Sequence, residues 1–326
     1  MKRAKRIWFI LLLPALPLTG QDPVLSHFYA CPMQMNPAMA GTDCAPRLFV
    51  GYRNQWPEAG SPYVTYQAAW EQYVEPLHGG LGVRIMNDVQ GNGAYSALSL
   101  DIIYSYQFHV SRNLDMSGGL QVTAGQRVMR TNDLILPDMI DPVTGAISGG
   151  TEALAGQHTF YPDFAAGMAG SWKKIYFGAA MHHLAKPVIS EGGAGEIRLP
   201  RKITLHAGTF IPIYERRLGR EVLQLSPNII FTQQQNIQQL NYGLEVLYKS
   251  LFAGIWGRND LLFSYGTLIF STGYGSDNYR FRYSFDIKLS SPSVKIPDLG
   301  AHELSLIIIF DRAKSNRHRA IKCPKI

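Results

Sequence analysis

The sequence predicts an all-β fold, an antiparallel transmembrane β-barrel of about fourteen strands with a periplasmic N-terminal arm and a short C-terminal tail. Three observations lead there. Apolar and polar residues alternate over unusually long runs, the links between runs alternate between short and long, and aromatic residues gather near the run ends.

The clearest run is Tyr279–Leu289. Tyr279, Phe281, Tyr283, Phe285, Ile287 and Leu289 share one parity, and Arg280, Arg282, Ser284, Asp286 and Lys288 share the other. Alternate side chains of a strand point to opposite faces, so an apolar face backs a charged one. The length is about what a tilted strand needs to cross a bilayer. A soluble β-sandwich or propeller alternates too. Its strands average about five or six residues, and several runs here are far longer.

Residues 1–20 read as an export signal. Lys2, Arg3, Lys5 and Arg6 precede the apolar Ile7–Leu13, too short to span a membrane as a helix. Cleavage is expected near Gly20/Gln21, although Leu18 fits poorly at the usual small-residue position. Losing those four basic residues lowers the formal charge from +7 to +3, 27 Lys+Arg against 24 Asp+Glu. The basic pI therefore gives no support to a nucleic-acid partner.

Residues 21–45, Pro- and Met-rich without clear periodicity, read as an ordered arm or plug. They hold Cys31 and Cys44, and Cys323 lies near the other end. In an exported protein the Cys31–Cys44 bridge is the preferred pairing, with Cys323 or no bridge as alternatives. No close His or second CxxC supports a metal site.

Residues 46–310 carry the strands, expected at Arg47–Gln55, Val64–Gln72, Gly80–Met86, Tyr95–Phe108, Leu114–Val128, Asp163–Trp172 and Ile175–His182, then Lys202–Ile211, Val222–Thr232, Gln239–Tyr248, Leu251–Gly257, Leu261–Phe270, Tyr279–Leu289 and Glu303–Phe310. Links after even-numbered strands are short, as at Lys173–Lys174 and Lys249–Ser250. Most links after odd-numbered strands are longer, as at 87–92, 129–162, 183–201, 232–238 and 290–300. Outer-membrane barrels have short periplasmic turns and longer external loops, which assigns both termini to the periplasm. Trp70, Trp172, Tyr248 and Trp256 suit interfacial girdles. Residues 311–326 form a basic tail, a solvated end or a docking segment.

Catalytic chemistry finds little support. His182 and His183, adjacent on a strand, are expected to face opposite ways and not to chelate together. Asp133, Asp138, Asp141 and Glu152 match no calcium-loop pattern. His206, Ser284 and Asp286 lie on different strands, and no nucleophile elbow or phosphate loop is present. The reading assigns no catalytic, cofactor-binding or metal residues, no cofactor and no partner-binding residue. The lumen face carries Arg84, Asp101, Arg127, Glu245, Arg280, Arg282, Asp286 and Lys288. These are expected to pair within a channel or around residues 21–45.

The wording of the mature chain resembles the PorP/SprF family, outer-membrane proteins of the type IX secretion and gliding machinery of Bacteroidota-type bacteria. The resemblance rests on an ordered set: Ser26-His27-Phe28-Tyr29, Asn36-Pro37-Ala38-Met39-Ala40-Gly41, Tyr52-Arg53-Asn54-Gln55-Trp56-Pro57, Tyr161-Pro162-Asp163-Phe164, Tyr176-Phe177-Gly178 with His183-Leu184, Leu199-Pro200-Arg201-Lys202 with Leu205-His206-Ala207-Gly208, Gly257-Arg258, Tyr283-Ser284-Phe285-Asp286, His302-Glu303 and Cys323-Pro324. The resemblance implies a fourteen-stranded barrel without enzymatic activity that supports secretion or surface attachment of cargo or adhesins bearing sorting domains. It also implies periplasmic partners, a ring-forming lipoprotein complex and a peptidoglycan-binding lipoprotein. Cys31 and Cys44 match no motif position. An outer-membrane pore or solute channel is the alternative, and the lumen discriminates, filled for a scaffold and open for a pore.

Overall fold

The computed structural model describes residues 22–43, 45–58, 60–130, 144, 156–192, 195–216, 220–263, 266–289 and 300–310. Its strands are β1 (Arg47–Gln55), β2 (Tyr63–Val74), β3 (Gly79–Gln90), β4 (Tyr95–Ser111), β5 (Leu114–Met129), β6 (Gln157–Trp172), β7 (Ile175–His182), β8 (Val188–Gly192), β9 (Gly195–Arg198), β10 (Lys202–Thr209), β11 (Ile211–Arg216), β12 (Arg220–Gln234), β13 (Ile237–Tyr248), β14 (Leu251–Asn259), β15 (Gly266–Gly275), β16 (Tyr279–Lys288) and β17 (Ala301–Ile309).

These strands form a closed antiparallel barrel of fourteen staves. β10 and β11 are one stave broken at Phe210, since both lie along β12, with Gly208 opposite Asn228 and Ile211 opposite Leu225. β10 joins β7 to β12, and the first and last strands meet from Arg47↔Ile309 to Gln55↔Ala301. β8 and β9 pair only with each other.

The sequence alternation becomes an inside and an outside. On β16, Arg282, Ser284 and Asp286 are buried within, while Tyr279 and Phe281 are exposed without. On β4, Asp101, Ile103 and Ser105 are buried against exposed Leu100, Ile102 and Tyr106. A soluble fold would bury the second set. Here the apolar face is the outer one, as a lipid-facing wall requires.

Strand ends depart from expectation where polar ladders continue past the apolar belt. β4 has 17 residues, a rise of roughly 40 Å at ~3.3 Å per residue and a ~45° tilt, against an apolar band of ~25 Å. The links expected at 87–92 and 232–238 contract to Gly91–Ala94 and the two-residue Gln235–Asn236 turn, because the pairing runs up to Gln90↔Tyr95 and Gln234↔Ile237. β6 begins at Gln157, not Asp163. Pro162 is tolerated there because β7 pairs with β6 only from Ala166 onward, so its missing N–H removes no ladder bond on that side. β15 begins at Gly266, not Leu261. Phe263 takes a left-handed φ of 53°, its N–H bonds Asp260 O at 3.1 Å, and Leu261–Phe263 become a turn.

Within the link 183–201, β8 and β9 form a hairpin. Ile189 and Leu199 pack against Tyr161 of β6, bringing this link against the long-loop mouth of the barrel.

Candidate functional site

The barrel interior is occupied by the chain's own N-terminal segment. The sequence predicts residues 21–45 as a periplasmic arm or a plug; of these, the described residues 22–43 run through the lumen. Asp22 lies beside residues at the edges of link 183–201, and Gly41 reaches Glu71 near the short-turn end before the chain enters β1. The segment is locally ordered by prolines. Pro32 opens a one-turn helix, Pro32–Met35, and Pro37 opens a 3₁₀ turn, Pro37–Met39. Asn36 caps that turn by accepting the Ala38 N–H at 3.0 Å.

Three groups of contacts hold it. In the first, Glu303 accepts the backbone N–H groups of Ser26 at 2.6 Å and His27 at 3.0 Å, and the Ser26 hydroxyl donates to Asp286 at 2.7 Å. Arg53 donates to Glu303 at 3.0 Å and Asp286 at 2.8 Å, while Arg258 donates to Asp286 at 3.2 Å, to Ser26 Oγ at 2.9 Å and to Leu25 O at 3.1 Å. Two arginines and two carboxylates balance, and all four are buried. A buried ion cluster is costly unless its charges and hydrogen-bonding atoms are matched; two of its acceptor sites are matched by the segment's own amides, while Arg53 Nε and Asp286 Oδ1 have no partner among the described residues.

The second group surrounds the start of the segment. His183 bonds Asp22 at 2.9 Å through Nε2 and Asp163 at 2.5 Å through Nδ1, and Lys202 donates to Asp22 at 3.2 Å. Burial works against a charge on the imidazole, but Asp22 and Asp163 outweigh it and raise His183 to about 9. Burial also pushes the Asp22 carboxyl up, and His183 and Lys202 pull it well below the usual carboxylate range.

The third group is steric. Asn36 Nδ2 donates to Met168 O at 2.8 Å and lies 3.2 Å from His206 Nε2. Ser117 donates to Ala38 O at 2.8 Å, Ser105 to Ala40 O at 2.7 Å, and the Gly41 N–H bonds Glu71 at 2.8 Å. The segment's backbone lies directly on the wall. A Cβ at Gly119 would sit 2.2 Å from Ala38 N, and one at Gly80 would sit 2.0 Å from Ala40 O. Higher up, Phe28 packs on Trp256 at 5.0 Å between ring centroids, and Tyr29 meets Tyr176 edge-on at 5.6 Å. Among the described residues, remaining space includes cavities of about 70 and 110 Å³ on either side of Asp22–Pro23. Each is large enough for only a few waters.

The expected lumen charges pair largely as anticipated: Arg84 with Asp101 at 2.7 Å, Arg282 with Glu245 at 4.0 Å, and Asp286 with two arginines. Arg127 instead lies between the rings of Tyr95 and Tyr161. His182 and His183 do not face opposite ways. His182 ends β7 on the inner face, and a φ of 58° at His183 turns that ring back inward, 6.4 Å away. Among the described residues no three metal-type ligands converge. His206 is engaged by Asn36 and Asp286 by arginines, and Ser284 Oγ has no hydrogen-bond partner among the described residues, where these three form no nucleophilic set. Cys31 is buried, whereas Cys44, Cys323 and the acids Asp133, Asp138, Asp141 and Glu152 lie outside the described residues.

Residues that sequence reading left without a role are the ones that hold the segment: Ser26, Arg53, Arg258, Glu303 and His183. Each sits inside one of the motifs quoted above, scattered from residue 26 to 303, and the fold brings them together. The signal was present in the motif list, but their proximity was not.

Fold and lumen together define a plugged outer-membrane β-barrel. The chain is similar to several solved structures. The Acinetobacter baumannii outer membrane protein Omp33 matches with a TM-score of 0.46 at 7% identity over 82% of this chain and 99% of its own. The Pseudomonas putida toluene transporter TodX matches at 0.48 and 12% over 84% and 91%, and a Pseudomonas aeruginosa FadL homologue at 0.48 and 12% over 85% and 93%. No curated protein sequence matches the chain. The family model for the type IX secretion system membrane protein PorP/SprF matches residues 18–308, and the chain belongs to that family.

Proposed function

We propose that this protein is a non-enzymatic scaffold of type IX secretion that supports export or surface attachment of sorting-domain cargo. The observation that carries this reading is the filled lumen. A segment fixed by ion clusters and by backbone packed on glycines suits a rigid anchor better than a conduit. In this reading the short turns and the basic tail 311–326 face the periplasm, where they engage the ring-forming lipoprotein complex and the peptidoglycan-binding lipoprotein. The long loops lie outside and hold cargo or an adhesin. The N-terminal segment no longer serves as a periplasmic arm, so the tail and turns carry periplasmic docking.

The test is affinity purification of the tagged protein from its own membranes in mild detergent, with mass spectrometry of what accompanies it. Recovery of ring lipoproteins or a large sorting-domain protein is expected. A barrel that comes out alone and conducts ions in a planar bilayer overturns the reading in favour of a pore.

A further inference from the structure

Charge is unevenly spread around the short-turn end. Arg112 lies between β4 and β5, Lys173 and Lys174 between β6 and β7, and Lys249 between β13 and β14. These three links carry the described basic residues of this end. The acid nearest them is Asp115, held by His109. Two other short links carry Glu75 and Asp277.

Two geometric facts give these links a direction. The Lys173 ammonium lies 5.2 Å over the ring of Trp172, and the Lys249 ammonium 5.2 Å over Tyr248. Both rings are exposed on the outer, lipid-facing wall at the end of their strands. The ammoniums therefore sit on the membrane side of the rim, at headgroup depth, and not beneath the lumen. Backbone geometry does not ask for lysine there. The equivalent first position of the tight turn at the other end, with φ of 54° against 58° and 55°, is filled by Gln235.

We propose that the basic links β4–β5, β6–β7 and β13–β14 are a binding site for anionic phospholipid headgroups, continuous with the lipid-facing wall. It rests on the barrel reading and not on the secretion role. The cation over an aromatic ring grips the phosphate edge of the bilayer.

The experiment is native mass spectrometry of the full-length protein released from nanodiscs of mixed phosphatidylcholine and phosphatidylglycerol. Wild type is expected to retain phosphatidylglycerol roughly tenfold over phosphatidylcholine. The variant K173Q/K174Q/K249Q is expected to fall to near parity while keeping its folded gel mobility, and K186Q at the long-loop end is expected to behave as wild type. Absence of enrichment in wild type, or its persistence in the triple variant, overturns the proposal. So does loss of a co-purifying protein from the triple variant with lipid preference unchanged. Failure to recover secretion partners from native membranes leaves the lipid result standing.

Discussion

Replacing Glu303 by Gln tests whether the N-terminal segment is a fixed part of the wall. The carboxylate accepts two segment amides, at 2.6 and 3.0 Å, and the Arg53 guanidinium at 3.0 Å. Glutamine keeps one oxygen and turns an NH₂ toward an N–H that needs an acceptor. A hydrogen bond to a charged group contributes ~1.5–3 kcal/mol. Breaking a buried ion pair costs about 3–5 kcal/mol, much of it from the charge left behind. Arg53 still has Asp286 at 2.8 Å, which moderates the second figure, so docking of the segment is expected to weaken by about 3–5 kcal/mol. At ~1.4 kcal/mol per decade, the undocked population rises between about a hundredfold and a few thousandfold. The assay is protease protection of residues 22–30 in detergent micelles, paired with single-channel conductance. Faster cleavage and rare conducting events are expected from E303Q. Cleavage rates and conductance equal to wild type would refute the account of Glu303 as the principal latch.

Further outcomes follow from the other contacts. The His183 latch is fully present below the free-imidazole value of 6.5 and is lost as pH rises through about 9, so hydrogen-exchange protection at residues 22–25, taken relative to the intrinsic rate at each pH, should fall over that window and stay flat in H183A. The lowered Asp22 carboxyl works in the opposite sense, its contribution being lost as pH falls below the ordinary value of 3.8. G119V pushes side-chain atoms into Ala38 and is expected to expel the segment or lower stability by about 1–3 kcal/mol, whereas G118A, with nothing within 4 Å of its Cβ, should be silent in urea titrations. I102R on the outer wall should cost about 2–4 kcal/mol in vesicles, and a cost near zero there would mean that this face does not meet lipid.

The barrel was legible because its signal is local. In Tyr279–Lys288 each residue's parity names its face, and nothing distant changes that. Pro162 and Leu261–Phe263 were misread for a related reason. A proline interrupts a strand only if its N–H is needed, and an apolar run continues a strand only if φ stays negative, which depends on neighbours the sequence does not show. The site was legible as words but not as a place. Arg53, Arg258, Asp286 and Glu303 alternate like any other inward residues, Ser26 lies in a segment without periodicity, and their convergence depends on ring closure and on which way that segment turns. His183 was lost to a single left-handed residue.

The ion cluster also has a bearing on assembly. Arg53 and Glu303 belong to the first and last staves, and their contact spans 250 residues of chain, that of Ser26 with Glu303 spanning 277. Joining ends so far apart costs about 5 kcal/mol in chain entropy, and contacts across the seam offset part of it. Ser26 touches Arg53, Asp286 and Glu303 at once. The N-terminal segment is thus a clasp laid over strands already paired, Arg53 opposite Glu303, and its seating adds to the closed ring contacts that an open one does not offer.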